Sequence, residues 1–173
     1  MAVINNGPHH QLNVKACRDS TGGAIIAYEN GTSYGAPKDI IVNRIDSDGN
    51  TLWGKGINIC NTTGERNSIN ICPDGQGGAF ITWVDHRNGN NDLFAQRVDN
   101  SGVPQWTANG TAVSNDIRQI DSPCILQDGN NCILTWTLID GGFDYNIYAT
   151  KIDDCGNNLW GANGTCITNA SDG

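Results

Sequence analysis

The sequence predicts an all-β fold: three tandem repeats of about 53 residues, each a four-stranded antiparallel sheet, plus one extra N-terminal strand. Three observations predict it. Trp53, Trp106 and Trp160 recur at intervals of 53 and 54 residues. Around them one passage is written three times, as in Asp39-Ile-Ile-Val-Asn-Arg-Ile-Asp46, Asp92-Leu-Phe-Ala-Gln-Arg-Val-Asp99 and Asn146-Ile-Tyr-Ala-Thr-Lys-Ile-Asp153. Glycine fills 22 of the 173 positions, which suits short strands joined by tight turns and argues against long helices.

The elements follow in a fixed order. The first strand is Asn13 to Cys17, Ser68 to Cys72, or Asp121 to Ile125. The second is Ala24 to Tyr28, Ala79 to Val84, or Cys132 to Thr137. The third is Asp39 to Asp46, Asp92 to Asp99, or Asn146 to Asp153, and the fourth is Ile57 to Cys60, Thr111 to Ser114, or Thr165 to Thr168. Turn signals such as Asp74-Gly75, Ser47-Asp-Gly-Asn50 and Asp128-Gly129 separate them. The chain divides into an extra strand at 1–6 and repeats at 7–61, 62–115 and 116–173, all in one domain.

Side-chain alternation says how the sheets lie. Ala79, Ile81 and Trp83 share one face of a strand, and Phe80, Thr82 and Val84 share the other. Both faces are largely apolar, so the sheet must be packed between two layers. Stacked small sheets of this kind occur in propellers and β-solenoids. Ala2-Val3-Ile4-Asn5 matches the fourth strands at Asn58-Ile59-Cys60-Asn61 and Ala112-Val113-Ser114-Asn115. It therefore reads as a spare strand, one that could pair with a neighbouring subunit or mark a chain cut from a longer array. Three repeats do not close a ring, since propellers use about four to eight. Association is the expectation, as a filament, as a six-bladed dimer or within a longer parent chain.

The string Asp74-Gly-Gln-Gly-Gly-Ala79, Trp83-Val-Asp85-His-Arg87-Asn-Gly89, Asp92-Leu-Phe-Ala-Gln-Arg-Val-Asp99, Gly102 and Trp106-Thr-Ala-Asn-Gly110 resembles a tandem repeat of large secreted bacterial surface proteins. Those repeats resemble β-propellers. The resemblance covers nearly the whole chain and implies the fold and secretion, with no catalytic residues. The first repeat departs from the pattern at Asn30-Gly-Thr-Ser-Tyr34, and the third carries Asn130-Asn131 where the others have Gly-Gly.

Composition narrows the partners. A net charge of -8 argues against nucleic acid, which needs a basic face. The apolar runs are too short to insert in a membrane. The N-terminus has no charged region or long apolar stretch, so a signal peptide is absent from the chain or already removed. Seven cysteines without a Cys-x-x-Cys point to an oxidising compartment, extracellular or at the cell surface. The expected local staples are Cys124 with Cys132, Cys155 with Cys166, and Cys60 with Cys72. Cys17 is left free or for another subunit; the alternative for all seven is reduced, buried thiols.

Asn30, Asn61, Asn109, Asn163 and Asn169 open Asn-x-Ser/Thr acceptors, so covalent glycans are expected; Asn-Gly at Asn109 and Asn163 also suits turns. Asp46-Ser-Asp48-Gly-Asn50 resembles the start of a calcium loop but lacks the distal Glu, and reads as a hairpin turn. The pair His9-His10 and His86 carry no metal assignment. No metal site and no cofactor are expected.

Arg44, Arg97 and Lys151 each stand two residues before Asp46, Asp99 or Asp153, and read as a structural ladder of charge. Trp53, Trp106 and Trp160 read as packing wedges between repeats, with carbohydrate platforms as the alternative. The sequence therefore predicts a secreted structural protein that assembles with itself, with no catalysis. The second reading is a carbohydrate- or surface-binding propeller formed from two copies, and the third, least favoured, is a glycosidase fragment.

Overall fold

The computed structural model describes residues 10–33, 36–140 and 144–169. The spare strand at Ala2 to Asn5 lies outside the described residues. Among the described residues twelve strands account for the regular structure: β1 (His10–Arg18), β2 (Ala24–Gly31), β3 (Lys38–Ile45), β4 (Ile57–Cys60), β5 (Arg66–Pro73), β6 (Ala79–Asp85), β7 (Asp92–Val98), β8 (Thr111–Ser114), β9 (Gln119–Asp128), β10 (Asn131–Asp140), β11 (Asp144–Ile152) and β12 (Thr165–Thr168). No helix occurs among the described residues. The strands form three separate antiparallel meanders, β1–β4, β5–β8 and β9–β12.

Register is specified by the hydrophobic alternation and repeats from sheet to sheet. Tyr28 pairs with Ile41, Trp83 with Phe94, and Trp136 with Tyr148. These large side chains stand at one level of each blade. Each first strand carries a bulge at a positive-φ residue: Asn13 (φ 53), Ser68 (φ 55) and Ser122 (φ 51). Bulges bend a strand and strengthen its twist. The first strands of successive sheets lie side by side, so they form the inner rim of the stack.

The expected two-sided burial is realised in the second blade, where every residue of β6 and β7 is buried. Ala79, Ile81 and Trp83 pack with Ile25, Ala27, Ile40 and Val42 of the first blade. Phe80, Val84 and Leu93 pack with Leu134, Trp136 and Leu138 of the third. Sheet faces with no water on either side are the reason the runs are nearly continuous apolar.

The hairpin tips follow from Asp chemistry. Asp46 Oδ1 accepts from the Asp48 and Asn50 amides at 2.9 and 2.8 Å, and Asp99 and Asp153 do the same in their turns. The substitution of Gly-Gly by Asn130-Asn131 has a local explanation. In the first two blades a Cβ at Gly23 or Gly78 would stand about 2 Å from the carbonyl oxygen of Ile45 or Val98. The third blade shortens the turn instead, with Asp128 directly opposite Asn131 and Gly129 supplying a φ of 62.

Candidate functional site: the blade seams and the open faces

Each blade has a trailing face toward the next blade and a leading face toward the one before. The seam between them is built twice from equivalent residues. Trp53 of the first blade lies against Gly102 of the second, where a Cβ would meet its Cδ2 at 2.9 Å. Trp106 of the second lies against Gly156 of the third, where a Cβ would meet its Cγ at 3.0 Å. Both glycines have φ of 85–90, a region that side chains resist. Arg44 donates to the Asn100 carbonyl at 3.0 Å, and Arg97 donates to the Asp154 carbonyl at 3.3 Å. Trp106 Nε1 adds a bond to the same Asp154 carbonyl at 3.0 Å.

The charge ladder has different rungs from those the spacing pointed to. Arg44 binds Asp19, Arg97 binds Asp74 and Lys151 binds Asp128, all at the turn between the first two strands. Asp46, Asp99 and Asp153 serve the hairpin tips instead, because their oxygens are taken by backbone amides. The guanidinium is thus oriented by its own blade and reaches into the next one. Asp19 is held well below the usual carboxylate range; burial opposes this, but hydrogen bonds from Thr21, Arg44 and the Gly23 amide outweigh it.

The first seam holds a buried ionic cluster that the sequence did not reveal. Asp85 Oδ2 accepts from Trp83 Nε1 at 2.9 Å and from Arg87 Nη2 at 2.5 Å, and stands 3.4 Å from Arg66 Nε. Cys60, from the preceding blade, places its sulfur 3.0 Å from Arg66 Nε and 3.1 Å from Arg87 Nη2. Arg66 also donates to the Lys38 carbonyl of the first blade. Arg87 lies 3.9 Å over the Phe94 ring. The one available signal was Trp83-Val-Asp85-His-Arg87, but Arg66 and Cys60 come from outside it.

The trailing end of the stack differs sharply from its seams, whereas at the leading end Ile26, Tyr28 and Ile41 of the first blade remain buried. Ile147 is 38% exposed, whereas its counterparts Ile40 and Leu93 are fully buried. Ile167 is 58% exposed against 3% and 4% for Ile59 and Val113, and Trp160 is 43% exposed against 9% for Trp106. Every residue of β12 is exposed. On the first blade's leading side Val14 is exposed where Ile69 is buried, and the Gly49 turn has no atom within 4 Å of a Cβ position.

The cysteine staples are corrected: all seven cysteines are free. Register gives the reason. Cys132 faces Gln127 and Cys124 faces Thr135, an offset of three residues, or about 10 Å along the strand and beyond disulfide reach. Cys60 stands beside Arg66 at one end of β5, while Cys72 is six residues, about 20 Å, toward the other. Cys166 faces Tyr148, and Cys155 sits in the turn beyond Ile152, more than about 13 Å away. Burial pushes Cys132 up to about 12; burial, then the charges of Asp74 and Asp19, push Cys17 up to about 12 as well.

Asn61 and Asn169 are exposed and Asn30 is half-buried. Asn109 and Asn163 are half-buried at φ of 66 and 61, and their Oδ1 atoms accept from the Asn61 and Asn115 amides across the seams. His10 is exposed at the start of β1 and His86 half-buried. Along the inner rim a groove of 560 Å³ is lined by Asn13, Asn67, Ser68, Asn70 and Ser122 among others.

Such blades define a β-propeller-like all-β fold. No protein-family model matches the chain, and no curated protein matches it in sequence. Among solved structures it is similar to a GH43 β-1,3-galactosidase, with a TM-score of 0.55 and 16% identity over 90% of this chain. The chain spans 33% of that enzyme's length, and the likeness is one of fold.

Proposed function

We propose that the chain is a structural β-repeat module that continues its blade stack with further copies of itself. The carrying observation is the third blade's trailing face. It exposes Ile147 and Ile167 at positions that the first two blades bury against a neighbour, and Trp160 where Trp106 is buried and Trp53 half-buried. Apolar surface of this kind is stabilised by removal from water, at about 25 cal/mol per Å². An extracellular or cell-surface setting belongs to the same reading, and is supported by the resemblance of the repeats and by the exposed acceptors Asn61 and Asn169. Catalysis is not part of it: Asp19, Asp74 and Asp85 are neutralised by arginines, and Asp46, Asp99 and Asp153 cap turns. Sedimentation velocity over a wide concentration range tests the proposal. Particles of two or more chains are expected; a lone 18.5 kDa species throughout would end it.

A second reading, carbohydrate binding, is favoured by the polar groove on the inner rim. It requires a change in tryptophan fluorescence on adding oligosaccharide, and no response across neutral and acidic glycans would remove it.

A further inference from the structure

We infer that the third blade of one chain docks on the first blade of a second copy, with Trp160 seated over the Gly49 turn. This rests on the self-assembly reading and names its contact. The argument is internal precedent. Trp53 sits on Gly102 and Trp106 sits on Gly156, each glycine being the one in the Asp-capped hairpin tip of the following blade. Position 49 is the first blade's copy of that glycine: its amide bonds the Asp46 carbonyl as those of Gly102 and Gly156 bond Asp99 and Asp153. Its φ is 82, against 85 and 90, and the space above it is open. Trp160 is the copy of the wedge that has no seat among the described residues.

The polar contacts extend in the same register. Arg44 and Arg97 reach the carbonyls of Asn100 and Asp154, each the residue after the capping Asp. Lys151, held by Asp128, stands at their position, and the residue after Asp46 is Ser47. Lys151 therefore donates to the Ser47 carbonyl of the second copy, and Trp160 Nε1 joins it as Trp106 Nε1 does at the second seam. Ile147 and Ile167 bring apolar surface from the third blade; on the first blade Ile26, Tyr28 and Ile41 are already buried, so the open ground there is the Gly49 turn and Val14. One bond is not repeated: Asn109 and Asn163 accept across the seams, but the first blade carries Lys55 there, so this contact lacks that acceptor. The interface is heterologous, and it serves a closed pair and an open filament alike.

Two singly disabled chains test it. Trp160→Ala removes the wedge and keeps the seat. Gly49→Asn keeps the wedge and fills the seat with a residue that tolerates positive φ. Both sites are open in the single chain, so unchanged circular dichroism and melting are expected. Each variant alone should associate at least about tenfold more weakly than the parent, as loss of a buried aromatic anchor does. Mixed together they should form a 1:1 pair, because one intact wedge meets one intact seat. If the parent associates but either variant does so equally well, or the mixture gains nothing, this contact is wrong while self-assembly stands. If the parent itself never associates, the self-assembly reading fails and takes the contact with it.

Discussion

Trp106 packs on Gly156 of the following blade so closely that a Cβ there would lie 3.0 Å from the indole Cγ. The same blade sends Arg97 and Trp106 Nε1 to one carbonyl, that of Asp154. A seam in this protein is thus an aromatic wedge on a bare backbone turn beside a cation that satisfies an exposed carbonyl, to which the second seam adds the indole N–H.

Gly156→Ala should destabilise the chain by about 2–4 kcal/mol, since it adds backbone strain at φ 90 to a clash with Trp106. Gly49→Ala meets only the strain and should cost about 1 kcal/mol. Urea denaturation of the two variants, done where the parent is dispersed, checks the difference; equal losses would mean that the wedge does not press on the turn.

Asp85→Asn should be among the most damaging single changes, at about 3–5 kcal/mol. It leaves the Arg66 guanidinium, wholly inside the protein, without its carboxylate. Equilibrium unfolding measures this, and a loss under about 1 kcal/mol would show that the cluster has no structural weight.

The same residue sets an acid limb. Burial pushes the Asp85 carboxyl up, but hydrogen bonds from Arg87 and Trp83 outweigh it and hold the pKa below its ordinary value. A depressed folded pKa contributes stability above the unfolded value, about 3.9, and that stability is lost as pH falls through the folded one. Melting temperature should therefore drop below about pH 4, and more steeply in the parent than in Asp85→Asn. Parallel profiles would assign the limb to other carboxylates.

Thiol chemistry should sort the cysteines by position. In the native chain at pH 8, Cys124, Cys155 and Cys166 are exposed and should alkylate first, as intact mass spectrometry would show. Cys60, Cys72 and Cys132 are buried and should react on the order of a hundredfold more slowly. Burial raises the thiol pKa of Cys72 and Cys132 further against attack. A freshly purified chain with fewer than seven titratable thiols, or a Cys132 as fast as Cys166, would contradict the packing.

The strands were legible because their signals are local. Period-two alternation over Ala79 to Val84 and the Asp-Gly turns need only neighbouring residues to act, and the third copy confirmed the first two. Partnership was less legible. Arg97 stands two residues from Asp99 in the chain, yet it binds Asp74, because the Asp99 oxygens are occupied by the Ser101 and Val103 amides. Cys124 and Cys132 flank one hairpin in sequence, yet the register sets them three residues apart.

The sequence by itself determined the repeat, the strand order and which strands are buried on both faces, since each follows from the period of apolar residues and from turn chemistry. Only the tertiary structure decided which blade each side chain touches. The Asp85 cluster draws Cys60, Arg66 and Arg87 from two blades, and Trp160 is 43% exposed where Trp106, seated on the following blade, is 9%. Contacts between sheets depend on how faces stack in space, and no spacing along one strand encodes that.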